Sequence, residues 1–453
     1  MTTPGWLHDA VFYQIFPDRF ANGDRSNDPS GVVPWNSEPT RDNFFGGDLR
    51  GIVEHLDHIR ELGANALYLT PIFQADTNHR YDAEDYFSID RRLGTDSDFV
   101  EFVNEAHRRG MRIVLDAVLN HCGRTHPAFQ DVIANEADSR YVNWFYVEEF
   151  PISSAPTPNY RTCSGCEYLP KWNVHNSEVR DHHLSVARHW IKRGIDGWRL
   201  DVPYFINKNF WRRFREVVKG IDEELYIVAE EWRSPEEWLT GDTADGTMNY
   251  TLRDLILGFT ADESLNAHEF VQGLETLQVS IPEGFHHGML NLLGSHDTER
   301  LLTRHHGNIE AELLALDLMY GCQGAPMIYY GDEVGMTGGN DPGCRAGMLW
   351  NRDEWCHEIH YRVSELGRLR REMVALRRGT QRAYAWDTDT VIIVRESARQ
   401  SVALVIHRGK GTVFNTIECG LGSTSEWKDK RGSMPVDGGF LIDGPGSVIL
   451  VKE

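Results

Sequence analysis

The sequence predicts an α/β fold: a (β/α)8 barrel with a domain inserted after the third strand and an antiparallel β domain towards the C-terminal end. Three observations carry this reading. Eight short apolar runs alternate with segments of helical spacing between Val11 and Tyr330. One interval, from Leu119 to Gly197, is far longer than one helix needs. After about Leu376 the helical spacing gives way to alternating strands. Strands separated by helices pair in parallel, because a parallel crossover needs about a dozen residues. An open doubly wound sheet would more naturally carry a glycine-rich phosphate loop after an early strand, and the sequence has none.

The predicted barrel strands are Val11–Ile15, Asn65–Phe73, Arg112–Leu119, Gly197–Val202, Tyr226–Trp232, Thr247–Thr251, Met289–Gly294 and Ala325–Tyr330. Between the first two, Leu49, Ile52, Val53, Leu56, Ile59 and Leu62 recur at three and four residues, and Gly63 stops the helix. Phe99, Phe102, Val103 and Ala106 repeat the pattern before Gly110. Further helices are expected over Val179–Lys192 and around Phe210–Val218. Ser234-Pro235-Glu236-Glu237 reads as a helix start, with an N-cap, Pro at N1 and acids in the first turn. The domains then divide as 1–121 plus 173–376 for the barrel, 122–172 for the insertion and 377–453 for the C-terminal β domain, joined by a helix over Glu358–Leu376. The last domain should hold strands Thr390–Val394, Ser401–His407, Thr412–Ile417, Gly438–Leu441 and Val448–Val451.

Composition narrows the function. The 453 residues carry 46 basic and 68 acidic side chains, a formal charge of −22. That balance speaks against nucleic acid or an anionic membrane as partner. No apolar run approaches the roughly 20 residues that span a bilayer. The opening MTTPGWLHDA has neither a basic n-region nor an apolar h-region, so a cytoplasmic location is expected. The seven cysteines are few and odd in number, which fits free thiols. Cys163-Ser-Gly-Cys166 has no second pair and no thioredoxin-like context, and it reads as incidental.

Barrel enzymes place reacting groups at the C-terminal ends of strands. Here those ends carry Asp116 and Asn120-His121, then Arg199 and Asp201, then Glu230 and Glu231, then His296-Asp297. So many ionisable groups are costly unless they converge on one solvated pocket. Any one of them alone could be a salt bridge at a loop start. Arg199 and Asp201, two apart on a strand, face the same way, and the guanidinium is expected to keep the acid ionised. A second carboxylate from strand five, Glu230 or Glu231, would complete the acid pair of glycoside cleavage.

DAVLNH (116–121), GWRLDV (197–202), AEEW (229–232) and LLGSHD (292–297) resemble the four ordered motifs of the α-amylase superfamily, glycoside hydrolase family 13. FYQIFPDRF, NHRYD (78–82), MNY (248–250), PMIYYGDEVGM (326–336) and DPGCR (341–345) extend the resemblance over almost the whole chain. It is nearest to the neopullulanase and cyclomaltodextrinase subgroup. The resemblance implies Asp201 as nucleophile, Glu230 as general acid/base and Asp297 as the third carboxylate. It implies sugar contacts from His79, Tyr81, His121, Arg199 and His296, with Asp341 and Arg345 one sugar further on. Asp116 and Asn120 would hold the end of strand three. Of the aromatics near motif ends (Trp172, Tyr204, Phe205, Trp232, Phe285, Trp350), most should be core, while Tyr204 and Trp232 are candidates to stack on the leaving sugar.

Asn22, Asp24, Asn27, Asp28, Gly46 and Asp48 form a cluster of hard oxygen ligands suited to Ca²⁺, and their spacing resembles a calcium loop of the same subgroup. A solvated Asn/Asp/Gly turn has the same composition. The subgroup usually carries an additional β domain before the barrel that helps build a homodimer, whereas this sequence opens at strand one. Val-Pro-Tyr-Phe (202–205) after Asp201 and LPKWN (169–173) depart from the subgroup's usual residues. The expected activity is therefore retaining hydrolysis of α-1,4 links in short linear or cyclic maltooligosaccharides, cyclic maltosyl-maltose among them. Transglycosylation on the same glycosyl-enzyme is the alternative. A non-catalytic sugar-binding relative would lack one of the three acids, and all three are present.

Overall fold

The computed structural model describes residues 3–432, 435–436 and 439–453. Eight parallel strands form the central sheet: β1 (Phe12–Ile15), β2 (Ala66–Leu69), β3 (Arg112–Ala117), β4 (Gly197–Leu200), β5 (Tyr226–Ala229), β6 (Gly246–Thr247), β7 (Leu290–Leu292) and β8 (Ala325–Tyr329). Their order is β6-β5-β4-β3-β2-β1-β8-β7. A parallel bridge between Met248 and Leu290 brings the two ends together, and Asn249 N–H donates to Leu290 O at 2.8 Å. The sheet is thus a closed barrel, as the alternation of elements predicted.

Helices cover the outside, and their boundaries follow local chemistry. Thr95 and Asp98 form a reciprocal capping box at the start of Asp96–Arg108, which ends before Gly110 at φ +73°. The stretch read as one helix from Leu49 to Leu62 is two, Leu49–Glu54 and Leu56–Glu61. It breaks at His55, which leaves helical geometry while its Nδ1 bonds Gly51 O at 2.8 Å. The Ser234-Pro235 start yields only a single 3-10 turn, Pro235–Glu237, with no side-chain cap from Ser234. The predicted sixth strand is also shorter: Asn249 caps the helix Tyr250–Thr260 through Leu252 N–H, so the chain turns helical where the apolar run suggested extension. The second run divides too, with Phe73–Ala75 leaving the barrel to pair with Ala83–Ile89.

Strand alternation separates two apolar layers. Phe12, Tyr68, Val114, Tyr226, Val228, Leu290, Leu292 and Met327 fill the barrel interior. Leu67, Leu115, Trp198, Leu200, Ile227 and Ala229 face outwards to the helices. Between β3 and β4 the chain makes a helix, Pro127–Asn135, and a hairpin, Thr162–Cys163 with Cys166–Pro170. Bridges from His121 to Lys171 and from Phe145 to Trp172 pin this excursion over the C-terminal strand ends. Beyond the helices His357–Glu372 and Val374–Arg378, five antiparallel strands run in the order Thr380–Ala385, Thr390–Glu396, Ser401–His407, Gly446–Lys452, Lys428–Asp429. Thr412–Asn415, Gly439–Ile442 and Pro435–Val436 form a second sheet, and Val405, Phe414, Phe440 and Leu450 pack between the two. The expected strand start at Gly438 lies outside the described residues.

Candidate active site

The barrel's alternation carries past the last paired residue and decides which side chains enter the interior. Tyr226 and Val228 point inwards, so Glu230 does as well. Glu231 points away and serves the loop: it accepts from Arg233 N–H at 2.8 Å, Ser234 N–H at 3.3 Å and Trp238 Nε1–H at 2.8 Å. The ambiguity between the two adjacent acids is thereby resolved geometrically in favour of Glu230. On β4 the same parity turns Arg199 and Asp201 inwards and sends Trp198 and Leu200 to the helices.

A cavity of about 430 Å³ opens at these strand ends. It brings together His79, Tyr81, His121, Asp201, Tyr204, Glu230, Trp232, His296, Asp297, Asp341 and Arg345 from the sequence-based set. That volume suits a small oligosaccharide segment. Arg199 lies beneath it, fully buried, and its two terminal nitrogens reach three carboxylates. Nη1 is 2.9 Å from Asp116 Oδ1 and 2.9 Å from Asp201 Oδ1, and Nη2 is 2.9 Å from Glu230 Oε2. Two acids held by one guanidinium cannot be ten ångströms apart, and the arrangement is compatible with the roughly 5–5.5 Å of a retaining pair.

Arg199 favours the ionised form of Asp201, as expected, and burial works against it. Burial is the largest influence on Asp201 and pushes its carboxyl well above the ordinary range. Arg199 opposes this, but its single charge is divided among three acids, and Asp116 and Glu230 both add to the upward push. Asp201 Oδ2 is buried without a hydrogen-bond partner, which leaves one oxygen free towards the cavity. Glu230 is held asymmetrically. Its Oε2 is ion-paired with Arg199 Nη2 at 2.9 Å and accepts from Val202 N–H at 2.8 Å, while Oε1 accepts only from Trp232 Nε1–H at 3.1 Å. A proton on Glu230 therefore belongs on Oε1. Val202 makes its N–H available by adopting φ +35°, ψ +52°, an uncommon conformation for a β-branched residue.

The remaining groups are fixed through one another. Tyr81 stacks on His296 at 5.5 Å between ring centroids and 8° between planes, and its hydroxyl donates to Asp116 at 2.9 Å. Gln14 Nε2 lies 2.8 Å from His296 Nδ1, so with the amide donating, the ring proton sits on Nε2 and goes to the Tyr81 hydroxyl oxygen at 2.6 Å, with Asp297 Oδ2 3.2 Å away. Arg345 pairs with Asp297 at 3.3 Å and Asp341 at 2.8 Å. Burial pushes His79 and His121 down to about 3 and holds His296 well below the ordinary imidazole range, so all three act as neutral hydrogen-bonding groups at neutral pH. His121 Nε2 has no protein partner.

Tyr168, on the inserted hairpin, lines the cavity without a sequence signal of its own. Gln14, a polar residue inside an apolar strand, could have been flagged by that contrast. Among the aromatics, Trp172 is core, stacked on Phe145 at 4.8 Å, and Trp350 packs against Phe20 and His55. Tyr204 and Phe205 are 47% and 42% exposed at the rim, and Trp232 lies flat on Tyr250 at 3.6 Å. A larger cavity, about 630 Å³, is lined by Glu275, His286, His287 and Gln323, at the N-terminal side of β7 and β8. Barrel reactions do not occur at that face.

The loop cluster also assembles. Asp48 caps Leu49–Glu54 and accepts from Gly51 N–H at 2.7 Å and Asp24 N–H at 2.8 Å. Asn22 Nδ2 donates to Asp28 Oδ1 at 2.6 Å, and Asp24 accepts from Ser26 N–H. A Cβ on Gly46, at φ +82°, would fall 2.4 Å from Asp28 Oδ1. Asn22 Oδ1 and Asn27 Oδ1 are buried without a donor. Two orphaned amide oxygens beside carboxylates are the donor set of a hard cation. Among the described residues no group of three His, Cys, Asp or Glu side chains is arranged for a metal, so such a site would depend on amide and backbone oxygens.

Known proteins agree with this geometry. The Alpha-amylase family profile (alpha amylase, catalytic domain) matches residues 14–391. The solved cyclic α-maltosyl-(1→6)-maltose hydrolase of Arthrobacter globiformis, in complex with cyclic α-maltosyl-(1→6)-maltose, is 61% identical, with a TM-score of 0.95 over 100% of both chains. A cyclomaltodextrinase of Geobacillus thermopakistaniensis is 44% identical over 89% of this chain and 70% of its own length. An intracellular maltogenic amylase of Bacillus subtilis is 41% identical over 82% of this chain and 63% of its own. Barrel, ordered motifs and convergent acids together establish that the chain belongs to the α-amylase family of glycoside hydrolases.

Proposed function

We propose that this protein is a retaining hydrolase of short α-glucans that cleaves α-1,4 links in cyclic and linear maltooligosaccharides, with cyclic α-maltosyl-(1→6)-maltose as its leading substrate. The observation that carries the reading is the placement of Asp201, Glu230 and Asp297 on one sugar-sized cavity over a shared guanidinium. The substrate rests on the likeness to the Arthrobacter enzyme over the full length. Asp201 Oδ2 attacks the anomeric carbon while Glu230 Oε1 delivers a proton to the leaving oxygen. Water then attacks the glycosyl-enzyme, with Glu230 taking the proton back. Asp297, held by Arg345 and His296, grips ring hydroxyls, and the neutral His121 and His296 donate or accept at others. Tyr204 and Trp232 receive the leaving sugars.

Calcium is part of the same proposal. Asn22, Asp24, Asn27 and Asp28, with backbone oxygens at Gly46 and Asp48, would hold it, and the ion would stiffen the loop after β1. The proposal includes a cytoplasmic location, and a homodimer as the oligomeric state to test. The first is supported by the intracellular relative and by seven free cysteines. No helix among the described residues is long and apolar enough to cross a membrane.

One assay panel tests the function: maltotriose, cyclodextrins, pullulan, panose and the cyclic mixed-linkage tetrasaccharide. Highest kcat/KM on the tetrasaccharide, with retained anomeric configuration in the first product, supports the proposal. Products longer than the substrate dominating at high sugar concentration would instead mark a transglycosylase.

A further inference from the structure

Folding sets the two cysteines of the CxxC stretch opposite one another. Cys163 and Cys166 are direct partners across the inserted hairpin, separated by a two-residue turn with Ser164 at φ +49° and Gly165 at φ +80°. Directly opposed residues of an antiparallel pair lie about 4.5–5.5 Å apart at Cα, inside the roughly 4.4–6.8 Å that a disulfide spans. Two positive-φ residues fit the primed turn that such a short connection requires. Both cysteines line the cavity that contains Asp201 and Glu230, and neither is bonded to another cysteine. The two thiols differ in access: Cys163 is buried and Cys166 is half-exposed.

We propose that Cys163 and Cys166 form a covalent modification site on the wall of the sugar cavity, where a hydroperoxide converts the two thiols to a disulfide and slows turnover. The half-exposed Cys166 reacts first. Its sulfur attacks one peroxide oxygen, the O–O bond breaks, and the thiol proton passes to the departing oxygen, giving Cys166 sulfenic acid and an alcohol (water, from hydrogen peroxide). The Cys163 sulfur then attacks the Cys166 sulfur. The S–S bond forms, the S–O bond breaks, and the hydroxyl leaves with the Cys163 proton as water. The pair loses two electrons and the peroxide gains two. Cys163 does not initiate, because burial pushes its thiol up to about 11 and the nearby Asp201 adds to the push.

The effect on catalysis follows from what the Cys163 sulfur touches. It lies 3.9 Å from Ser164 Oγ, on the cavity wall that it shares with His121 and Asp201. Drawing the sulfur towards Cys166 removes that contact and shifts the wall beside Asp201. Displacements of about 1 Å around a reacting centre cost on the order of a hundredfold, so a loss of tenfold or more is expected here.

The test treats the full chain with hydrogen peroxide and reads two signals. Non-reducing peptide mapping should show a Cys163–Cys166 crosslink, two hydrogens lighter than the dithiol peptide. The rate on the preferred α-glucan should fall at least about tenfold and return with a phosphine reductant. C163S and C166S, each compared with its own untreated rate, should lose the response, while the double variant C356S/C419S should keep it. No crosslink, a crosslink with an unchanged rate, or a loss that persists in C166S would each overturn the proposal. The inference rests on the proposed sugar hydrolysis for its rate signal alone. If no α-glucan is turned over, that function falls, while the mass signal still decides the modification site.

Discussion

Replacing Asp201 by Asn should abolish turnover and stabilise the fold at the same time, and the structure sets both signs. Asp201 Oδ2 is the one carboxylate oxygen of the pair free of any protein donor. An amide in its place cannot form the glycosyl-enzyme, so a loss of at least about three orders of magnitude is expected, or roughly 4 kcal/mol of barrier. Stability should move the other way. Three buried acids surround one guanidinium, and the acid removed is one pushed well upwards by burial and by its two acidic neighbours. Relieving a buried, poorly compensated charge is worth on the order of 1–3 kcal/mol. With about 2.1 cal/mol/K of unfolding entropy per residue over 453 residues, that is a rise in Tm of roughly 1–3 °C. A carboxyl whose folded-state pKa is raised costs stability only once the pH exceeds its unfolded value near 3.9. The gap between variant and wild type should therefore vanish in acid, open as the pH rises and level off above the folded value. Calorimetry across pH 3–9 alongside initial rates measures both. Near-normal rates, or a variant less stable at pH 8, would refute the assignment of Asp201 as a strained nucleophile.

Glu230→Gln should lose a similar factor on natural glucans but far less on a maltosyl fluoride, whose leaving group needs no proton; equal losses on both would deny Glu230 its acid role. The acidic limb of kcat/KM should lie above the ordinary Asp range, because the raised Asp201 must be ionised to attack, and Asp116→Asn, by removing a like charge, should move that limb to lower pH. His121→Asn should leave the limbs in place although it lowers activity, since His121 titrates near 3. Chelation with EDTA should lower Tm: for an ion present at about 100 times its Kd, the loss is about 2.7 kcal/mol, and an unchanged melting curve with no metal by elemental analysis would remove calcium from the proposal. Glu312, buried with neither oxygen bonded and its carboxyl pushed well upwards, should give a more stable protein as Glu312→Gln, with a larger gain at pH 9 than at pH 5.

The sequence by itself determined the barrel, the number and order of its strands and the identities at their C-terminal ends. Those features are local: period-two and period-3.6 apolar patterns, stop signals such as Gly110, and polar residues where an apolar run ends. It did not determine where runs stop when a capping side chain competes with extension. Asn249 turned a predicted strand into a helix start, and His55 split a helix. Nor could it choose between Glu230 and Glu231, because alternation gives opposite faces without saying which is inward. The closed barrel decided that through Tyr226 and Val228. Only tertiary structure showed that Arg199 serves three acids at once, that Gln14 contacts His296, and that Cys163 and Cys166 face the same cavity as Asp201. The reason is physical: periodicity and capping act over one or two turns of chain, whereas desolvation and charge sharing depend on groups that sequence separates by dozens of residues and folding brings within three ångströms.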